Sequence, residues 1–362
     1  MSTLPDGLVN LFDFEAEAVH HMAPPEYDYV AGGATDEVTL RRTRSAWDAI
    51  ALRPRVLTGT RTTDLSTTVL GHRVPMPVLL APCGGHRRAH PEGECESARG
   101  AAAFGTILGV SANGSVSLEE AARAADAPKW FQMYFYRDRE QTLDMLKRAE
   151  AAGYTAIYIT LDANWPAKRE RNIRGNYRQS ERPNYKGGEP PPVTTAKFDS
   201  GQSSRGRVDP GSSWDDIAWL RDQTKLPLIF KGVMTSEDAA QCAQHGVDAL
   251  VVSNHGARNL DTTLATIEVL PEVSAAVDGK LEVYVDGGVR RGTDVLKAIA
   301  LGAKAVLIGR PMFYGLALGG ADGVVQVLDI LRDEVESAMM LTGQPSMDAI
   351  DRSLIAHMPA LG

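Results

Sequence analysis

The chain has 362 residues, which at ~100 to 200 residues per domain leaves room for two domains or one large α/β barrel. Hydrophobic residues make up 43% and charged residues 23%, ordinary globular values that exclude collagen, coiled coils, small disulfide scaffolds and wholesale disorder. With 38 Lys and Arg against 46 Asp and Glu the formal charge is -8, so no global positive field holds a nucleic acid, and only a local basic pocket stays open.

The N-terminal MSTLPDGLVNLFDFEAEAVHH has an acidic amphipathic pattern and does not read as a signal peptide. No stretch approaches the ~18 apolar residues of a membrane span, so no membrane partner is expected. Residues 1 to about 70 are expected to form a helical cap over one end of the fold. Eight short β-branched or aliphatic runs follow, each ending in small or polar residues and leading into a helical pattern. The first four are Val78–Ala81, Ile107–Ser111, Trp130–Tyr134 and Ala156–Leu161. The others are Leu228–Lys231, Ala249–Ser253, Val283–Asp286 and Ala305–Gly309. Helical segments between them include Ser117–Ala125, with a capping-box Ser and Glu, and Thr293–Leu301. Eight strand-helix repeats give an α/β fold, a (β/α)8 TIM barrel, as one domain over 1–362. A doubly wound sheet is the rival, but APCGGHRR after the first strand lacks GxGxxG.

Between the fourth and fifth strands, residues 163–213 are rich in Pro, Gly, Ser and charge. Leaving the carboxyl end of a strand, this tract is expected to be a lid over the mouth, with a plain surface insert as the alternative. Cys83, Cys95 and Cys242 form no CxxC pair, which argues against a zinc site or disulfide framework and fits a reducing, cytoplasmic compartment. The eight histidines form no HxH or HExxH spacing, so no metal is expected. The C-terminal PALG matches no peroxisomal or retention address.

Strand ends carry the chemistry of such barrels. VDGGVRRG after the seventh strand and IGRP after the eighth fit a phosphate site, with glycines admitting backbone amides and Arg290 and Arg310 as cations. SNHGARNLD after the sixth strand puts His255 and Arg258 at the mouth. A lone histidine is more often structural, but Asp162 at the end of the fourth strand can orient this ring. Arg258 suits a carboxylate substrate, and Lys231 is a second cation nearby. Ser111, Gln132, Tyr134 and Thr160 complete a polar ring able to hold a flat heteroaromatic cofactor, with Lys231 facing the part that becomes negative on reduction.

SNHGARNLD, KGVMTSEDA, VDGGVRRGTDVLKAIALGA, IGRP, WFQMYFYRDRE and YDYVAGGATDEVTL resemble the FMN-dependent α-hydroxy acid oxidase and dehydrogenase family, from about Phe12 to Ile355. The resemblance implies FMN as cofactor, His255 as the base with Asp162 its partner, and Tyr29 and Arg258 as a carboxylate clamp. It puts Tyr134 near the substrate hydroxyl, Arg169 toward the substrate at the root of the lid, and Lys231 at the flavin N1 and C2 carbonyl. Ser111, Gln132 and Thr160 match contacts to the flavin ring, and the Pro82-Cys83-Gly84 turn matches backbone lying near N5. Ser253, Asp286, Gly288, Arg290, Gly309 and Arg310 complete the cofactor set, mainly on the ribityl and phosphate side.

The implied reaction is oxidation of an (S)-2-hydroxy acid to the 2-oxo acid, by hydride or carbanion, with reoxidation by dioxygen favoured and hydrogen peroxide as by-product. Oxidative decarboxylation, as in lactate monooxygenases, is one alternative, and a flavin-binding barrel or isomerase without net oxidation is another. Partners are the small-molecule acid and the electron acceptor, with a homotetramer as the assembly. Asn113 stands where a bulky aromatic is common and Gly84 where alanine is usual, which implies a roomier, more polar pocket than lactate or glycolate enzymes have.

Overall fold

Eight parallel strands close on themselves, as the repeat arithmetic predicts, in a computed structural model that describes residues 4–177, 182–185 and 207–357. Three short strands come first: β1 (Ala51–Leu52), β2 (Thr67–Val69) and β3 (His72–Val74). The barrel follows as β4 (Val78–Cys83), β5 (Leu108–Ser111), β6 (Lys129–Met133), β7 (Ala156–Thr160), β8 (Leu228–Val233), β9 (Ala249–Val252), β10 (Glu282–Asp286) and β11 (Ala305–Ile308). β11 pairs with β4 to complete the ring. Each expected run is one of these strands, with ends moved by a residue or two. β4 continues past its expected end through Pro82 to Cys83. Proline has no N–H to give the ladder, and pairing with β5 shifts register between Leu80 and Cys83, which accommodates it.

Side chains alternate along each strand, so the interior is read by parity. Outward residues such as Leu80, Val110, Phe131, Ile159, Phe230, Leu250 and Val285 join the main core beneath the helices. Inward residues Leu79, Trp130, Tyr158, Ile229, Val251, Tyr284 and Leu307 form a second buried cluster that fills the barrel. Further along the same parity stand Cys83, Ser111, Gln132, Thr160, Lys231, Ser253 and Asp286, and two residues beyond the last of these on four strands stand Tyr134, Asp162, His255 and Gly288. The barrel is therefore apolar below and polar at its carboxyl rim by simple continuation of period two.

The helices between strands are α4 (Glu94–Phe104), α5 (Leu118–Arg123), α6 (Arg139–Ala151), α7 (Glu170–Arg174), α8 (Asp215–Gln223), α9 (Ser236–Gln244), α10 (Thr266–Val277) and α11 (Gly292–Ala300). Ser117 caps α5 by accepting the Glu120 amide at 3.1 Å; the return bond of the expected capping box is not formed. α12 (Arg310–Thr342) follows β11 and breaks its helical geometry at Gly319 and Gly320. By length and composition α12 is the one described helix apolar enough to cross a membrane, a likeness the expectation of no such stretch overlooked. Over half of its most apolar window is buried, and it packs on α4, so core packing accounts for its composition.

The N-terminal region serves both ends of the barrel instead of the expected one. α1 (Leu11–His21), α2 (Pro24–Ala31) and α3 (Val38–Asp48) pack on the carboxyl-end helices, and Tyr29 and Val30 of α2 reach the mouth. The β2–β3 hairpin instead seals the opposite end, where Val69 and Val74 join the interior cluster. An apolar barrel floor needs such a cover to stay dry. Of the expected lid over 163–213, residues 163–177, which include α7, 182–185 and 207–213 are described, with Val208 bridged to Tyr136. Residues 178–181 and 186–206 of that tract lie outside the described residues.

Candidate active site

All the residues singled out in the sequence except Asp162 and Ser253 line one cavity of about 1020 Å³, its open face included, at the carboxyl rim. That size suits a cofactor with a small substrate beside it. Asp162 and Ser253 stand directly behind the wall and hold residues that do face the cavity.

His255 follows β9 in a turn with φ of +59°, a left-handed conformation set by the loop, in which the Asn254 side chain accepts the Ala257 amide at 2.9 Å. Its Nδ1 lies 2.9 Å from Asp162 Oδ1. Gly232 of β8 makes this pairing possible: at φ +113° it favours glycine, and a Cβ there would sit 2.7 Å from that of Asp162. Burial lowers the His255 pKa, with Lys231 and Arg169 adding to the effect, and outweighs the opposing pull of Asp162. Burial works to raise the Asp162 pKa, but His255 and Lys231 hold it below the usual carboxylate range. At neutral pH the pair is a carboxylate holding a neutral imidazole by Nδ1–H, which leaves Nε2 as a base.

Lys231 Nζ donates to Ser253 Oγ at 2.8 Å and lies 3.1 Å from Asp286 Oδ2. Ser253 Oγ in turn donates to Asp286 Oδ2 at 2.9 Å and accepts the His255 amide at 3.1 Å, so it braces the base and the lysine together. Burial would lower the Lys231 pKa, but Asp286 and Asp162 raise it, and the lysine stays charged. Across the ring, Ser111 Oγ donates to Gln132 Oε1 at 2.6 Å and Gln132 Nε2 donates to Thr160 Oγ1 at 2.9 Å. Burial pushes the Cys83 thiol up to about 11, so it stays protonated.

A cluster of guanidiniums dominates the rim. Arg258 Nη1 donates to Gly32 O at 2.8 Å, and Arg169 Nε donates to Arg258 O at 2.9 Å. Arg310 donates to the carbonyls of Val30, Gly32 and Gly256. Among the described residues no carboxylate lies within 4 Å of any of the three. Arg258 Nη2 and Arg169 Nη1 are buried with no hydrogen-bond partner among the described residues. Burial and the Arg258 charge pull Arg169 down to about 9, and the same causes pull Arg310 down to about 10. Tyr29 stacks on Tyr177 at 4.5 Å with the Arg88 guanidinium 4.1 Å from its ring centre. Burial would raise the Tyr29 pKa, yet Arg88, Arg258, Arg169 and Arg182 bring it down to about 7. Uncompensated buried cations this dense call for an anion.

Two residues of the expected phosphate loops, both in the cavity wall, carry a structural role as well. Gly288, at φ +85°, is demanded by packing: a Cβ there would lie 2.6 to 2.7 Å from Thr43 and Trp47 of α3. Arg290 is also not held solely for an anion, since its Nε and Nη2 sit 3.4 Å from Glu15 Oε2. One expectation, that of extra room at Gly84, needs correcting. A Cβ at this position would lie 2.8 Å from Asn113 O and 2.9 Å from Asn113 Cβ, so Asn113 occupies the room that the glycine was expected to open. Asn113 Nδ2 donates to Tyr134 Oη at 3.1 Å, and its Oδ1 accepts from Tyr185 Oη at 2.9 Å. Burial keeps Tyr134 protonated, far above its ordinary range, with its proton directed away from the Asn113 donor.

Glu94 escaped the sequence reading. It is fully buried and accepts from the amides of Gly85, His86, Ser115 and Val116 and from Ser115 Oγ, tying the β4 and β5 loops of the cavity wall together. A glutamate in the first turn of α4 reads locally as an exposed dipole complement, and only these long-range bonds reveal it. Glu94→Ala strands several buried donors and is expected to cost about 3 kcal/mol, read as a lower urea midpoint at constant m value. A midpoint like that of the parent would refute this bracing role. Arg88 and Tyr177 were missed as well, because nothing local joins them to Tyr29.

The donor set fits FMN. The Ser111, Gln132, Thr160 and Lys231 groups offer polar contacts to a flat ring, buried Asp286 Oδ1 has no partner and suits a ribityl hydroxyl, and the Arg310 side suits a phosphate. The model of the family described as FMN-dependent dehydrogenase matches residues 18–357. A peroxisomal (S)-2-hydroxyacid oxidase of Arabidopsis thaliana is 44% identical over 96% of each chain. The human 2-hydroxyacid oxidase 1 is 42% identical over 97% of each. A crystal structure of mandelate oxidase with (S)-4-hydroxymandelic acid superposes with a TM-score of 0.90 at 37% identity, over 96% of this chain and 98% of that one.

Proposed function

Because the chain belongs to the family of FMN-dependent dehydrogenases, we propose that it oxidises an (S)-2-hydroxy acid to the 2-oxo acid, with dioxygen as electron acceptor and hydrogen peroxide as by-product. The observation that carries this reading is a pair of buried nitrogens without a partner among the described residues, Arg258 Nη2 and Arg169 Nη1, next to a neutral imidazole held by Asp162.

A substrate carboxylate accepts from those two nitrogens and from Tyr29 in its protonated form, which sets the carbinol carbon beside His255. His255 Nε2 takes one proton from the carbinol group, and Asp162 stabilises the imidazolium that forms. Tyr134 donates to the substrate oxygen, because its own oxygen is already occupied by Asn113 Nδ2. FMN, held by the polar ring, Asp286 and the Arg310 side, supplies the two-electron acceptor. The reaction removes two electrons and two protons from the acid. Lys231 keeps a fixed positive charge next to the ring.

The relatives named as oxidases support dioxygen as acceptor, and the wall of Asn113, Tyr134 and Tyr185 supports a polar pocket. Assembly as a homotetramer and a single domain with residues 163–213 as lid belong to the same proposal. The free thiols of Cys83, Cys95 and Cys242 support a reducing, cytoplasmic setting, although some relatives carry the word peroxisomal in their names.

The test is anaerobic addition of small, aliphatic and aromatic 2-hydroxy acids to the yellow holoenzyme. Bleaching of the flavin absorbance is expected, followed in air by equal amounts of 2-oxo acid and peroxide. A flavin that stays oxidised with every acid refutes the oxidation, and a decarboxylated product moves the chain to monooxygenase chemistry.

A further inference from the structure

Arg88 follows the Gly84–Gly85 turn after β4; its side chain is 4% exposed, and it does not itself line the cavity. Nη1 donates to the carbonyls of Gly84 and Gly85, each at 2.8 Å, and Nε donates to Tyr177 Oη at 2.7 Å. The Cζ atom lies over the Tyr29 ring, 4.1 Å from its centre, and that ring stacks on Tyr177. A Cβ added at Gly85 would sit 2.6 Å from Arg88 Cζ, so the guanidinium takes the place of a side chain at that position.

Gly84 and Tyr29 both line the cavity, and Arg88 ties them together from behind its wall. An apolar side chain could fill the same space without the desolvation that a guanidinium incurs. What the guanidinium adds is a field on the phenol. A nearby cation favours the phenolate, and so makes the neutral phenol a stronger donor.

We propose that Arg88 is a positioning residue of the carboxylate clamp, holding the Tyr29 ring against the Gly84–Gly85 turn and strengthening its hydroxyl as a donor to the substrate carboxylate. The proposal rests on the 2-hydroxy acid oxidase reading and deepens it. The same field sets a pH limit. Burial would raise the Tyr29 pKa, but Arg88, then Arg258, Arg169 and Arg182, bring it down to about 7. Tyr134 and Tyr177 are the neighbouring phenols, both kept protonated by burial, and Glu26 on α2, 3.1 Å from Arg88 Nε, offsets part of the charge. A phenolate repels a carboxylate, so substrate binding weakens as pH rises through the Tyr29 pKa.

The experiment follows the holoenzyme across pH. Affinity for pyruvate and phenylglyoxylate is read from perturbation of the oxidised flavin spectrum, and anaerobic reduction by lactate and mandelate gives KM and kcat. Arg88→Met, Arg88→Gln and Arg88→Lys are compared with the parent, each alone and combined with Tyr29→Phe, with flavin content and urea midpoint checking the fold. On the acid side of the limb, the two neutral variants are expected to weaken binding about 5- to 20-fold, with kcat within about threefold of the parent. Their alkaline limb is expected to move up by at least about one pH unit, while Arg88→Lys keeps the limb of the parent. In the Tyr29→Phe background the limb disappears and the neutral variants cost less than about threefold more. A penalty of equal size in both backgrounds, or a limb that the neutral variants do not move, overturns the proposal and leaves the oxidase reading intact. A parent with no alkaline limb, or one whose limb survives Tyr29→Phe, does the same. Failure of every acid to reduce the flavin takes both down.

Discussion

His255→Ala is expected to keep its FMN and to lose flavin reduction by 2-hydroxy acids by about 10³- to 10⁴-fold. The imidazole is the one neutral base lining the cavity with a carboxylate behind it, at 2.9 Å; Asp162 fixes the ring and Ser253 holds the backbone amide of the same residue. Truncation removes the proton acceptor and leaves Asp162 facing Lys231 and Arg169 with no group reaching the carbinol. On the acid side the parent should lose kcat/KM only below the ordinary histidine range, because burial lowers the His255 pKa and the neutral, active form survives mild acid. That acid limb should vanish in the variant. Stopped-flow reduction across pH checks both points, and a variant reduced within tenfold of the parent rate would falsify the assignment.

Arg258→Lys is expected to lower kcat/KM by about 100-fold, mostly through KM. Arg258 does two things with one planar group: Nη1 donates to Gly32 O at 2.8 Å, and the buried Nη2 is left for the ligand. An ammonium keeps the charge and cannot span both positions, so either the α2 junction or the carboxylate goes unserved. Because the carboxylate is held alike in ground and transition states, the loss falls on binding more than on turnover. Titration with a 2-oxo acid, followed in the flavin spectrum, should show the same weakening. Unchanged affinity would mean that Arg258 is structural.

The barrel was legible because period-two alternation and eight turn-bounded runs are local signals. Its continuation to Ser111, Gln132, Thr160, Lys231 and Asp286 needed only the register of each run. Loop residues such as His255 and Arg258 were legible as an apolar strand breaking into polar residues. What stayed hidden was set by distant contacts. Glu94 reads as an ordinary helix-start acid, the two-ended service of the N-terminal region depends on where a hairpin docks, and Gly84 reads as open space although Asn113 fills it. Arg182 sits in a low-complexity tract that gave no reason to look for a buried cation.

Among the described residues, the hairpin plug closes the amino end of the barrel and leaves the carboxyl rim as the way into the chamber. Acid, departing oxo acid and incoming oxidant all pass the carboxyl rim, since Val69, Val74 and the packed rings of Trp130, Tyr158 and Tyr284 stop any through-traffic.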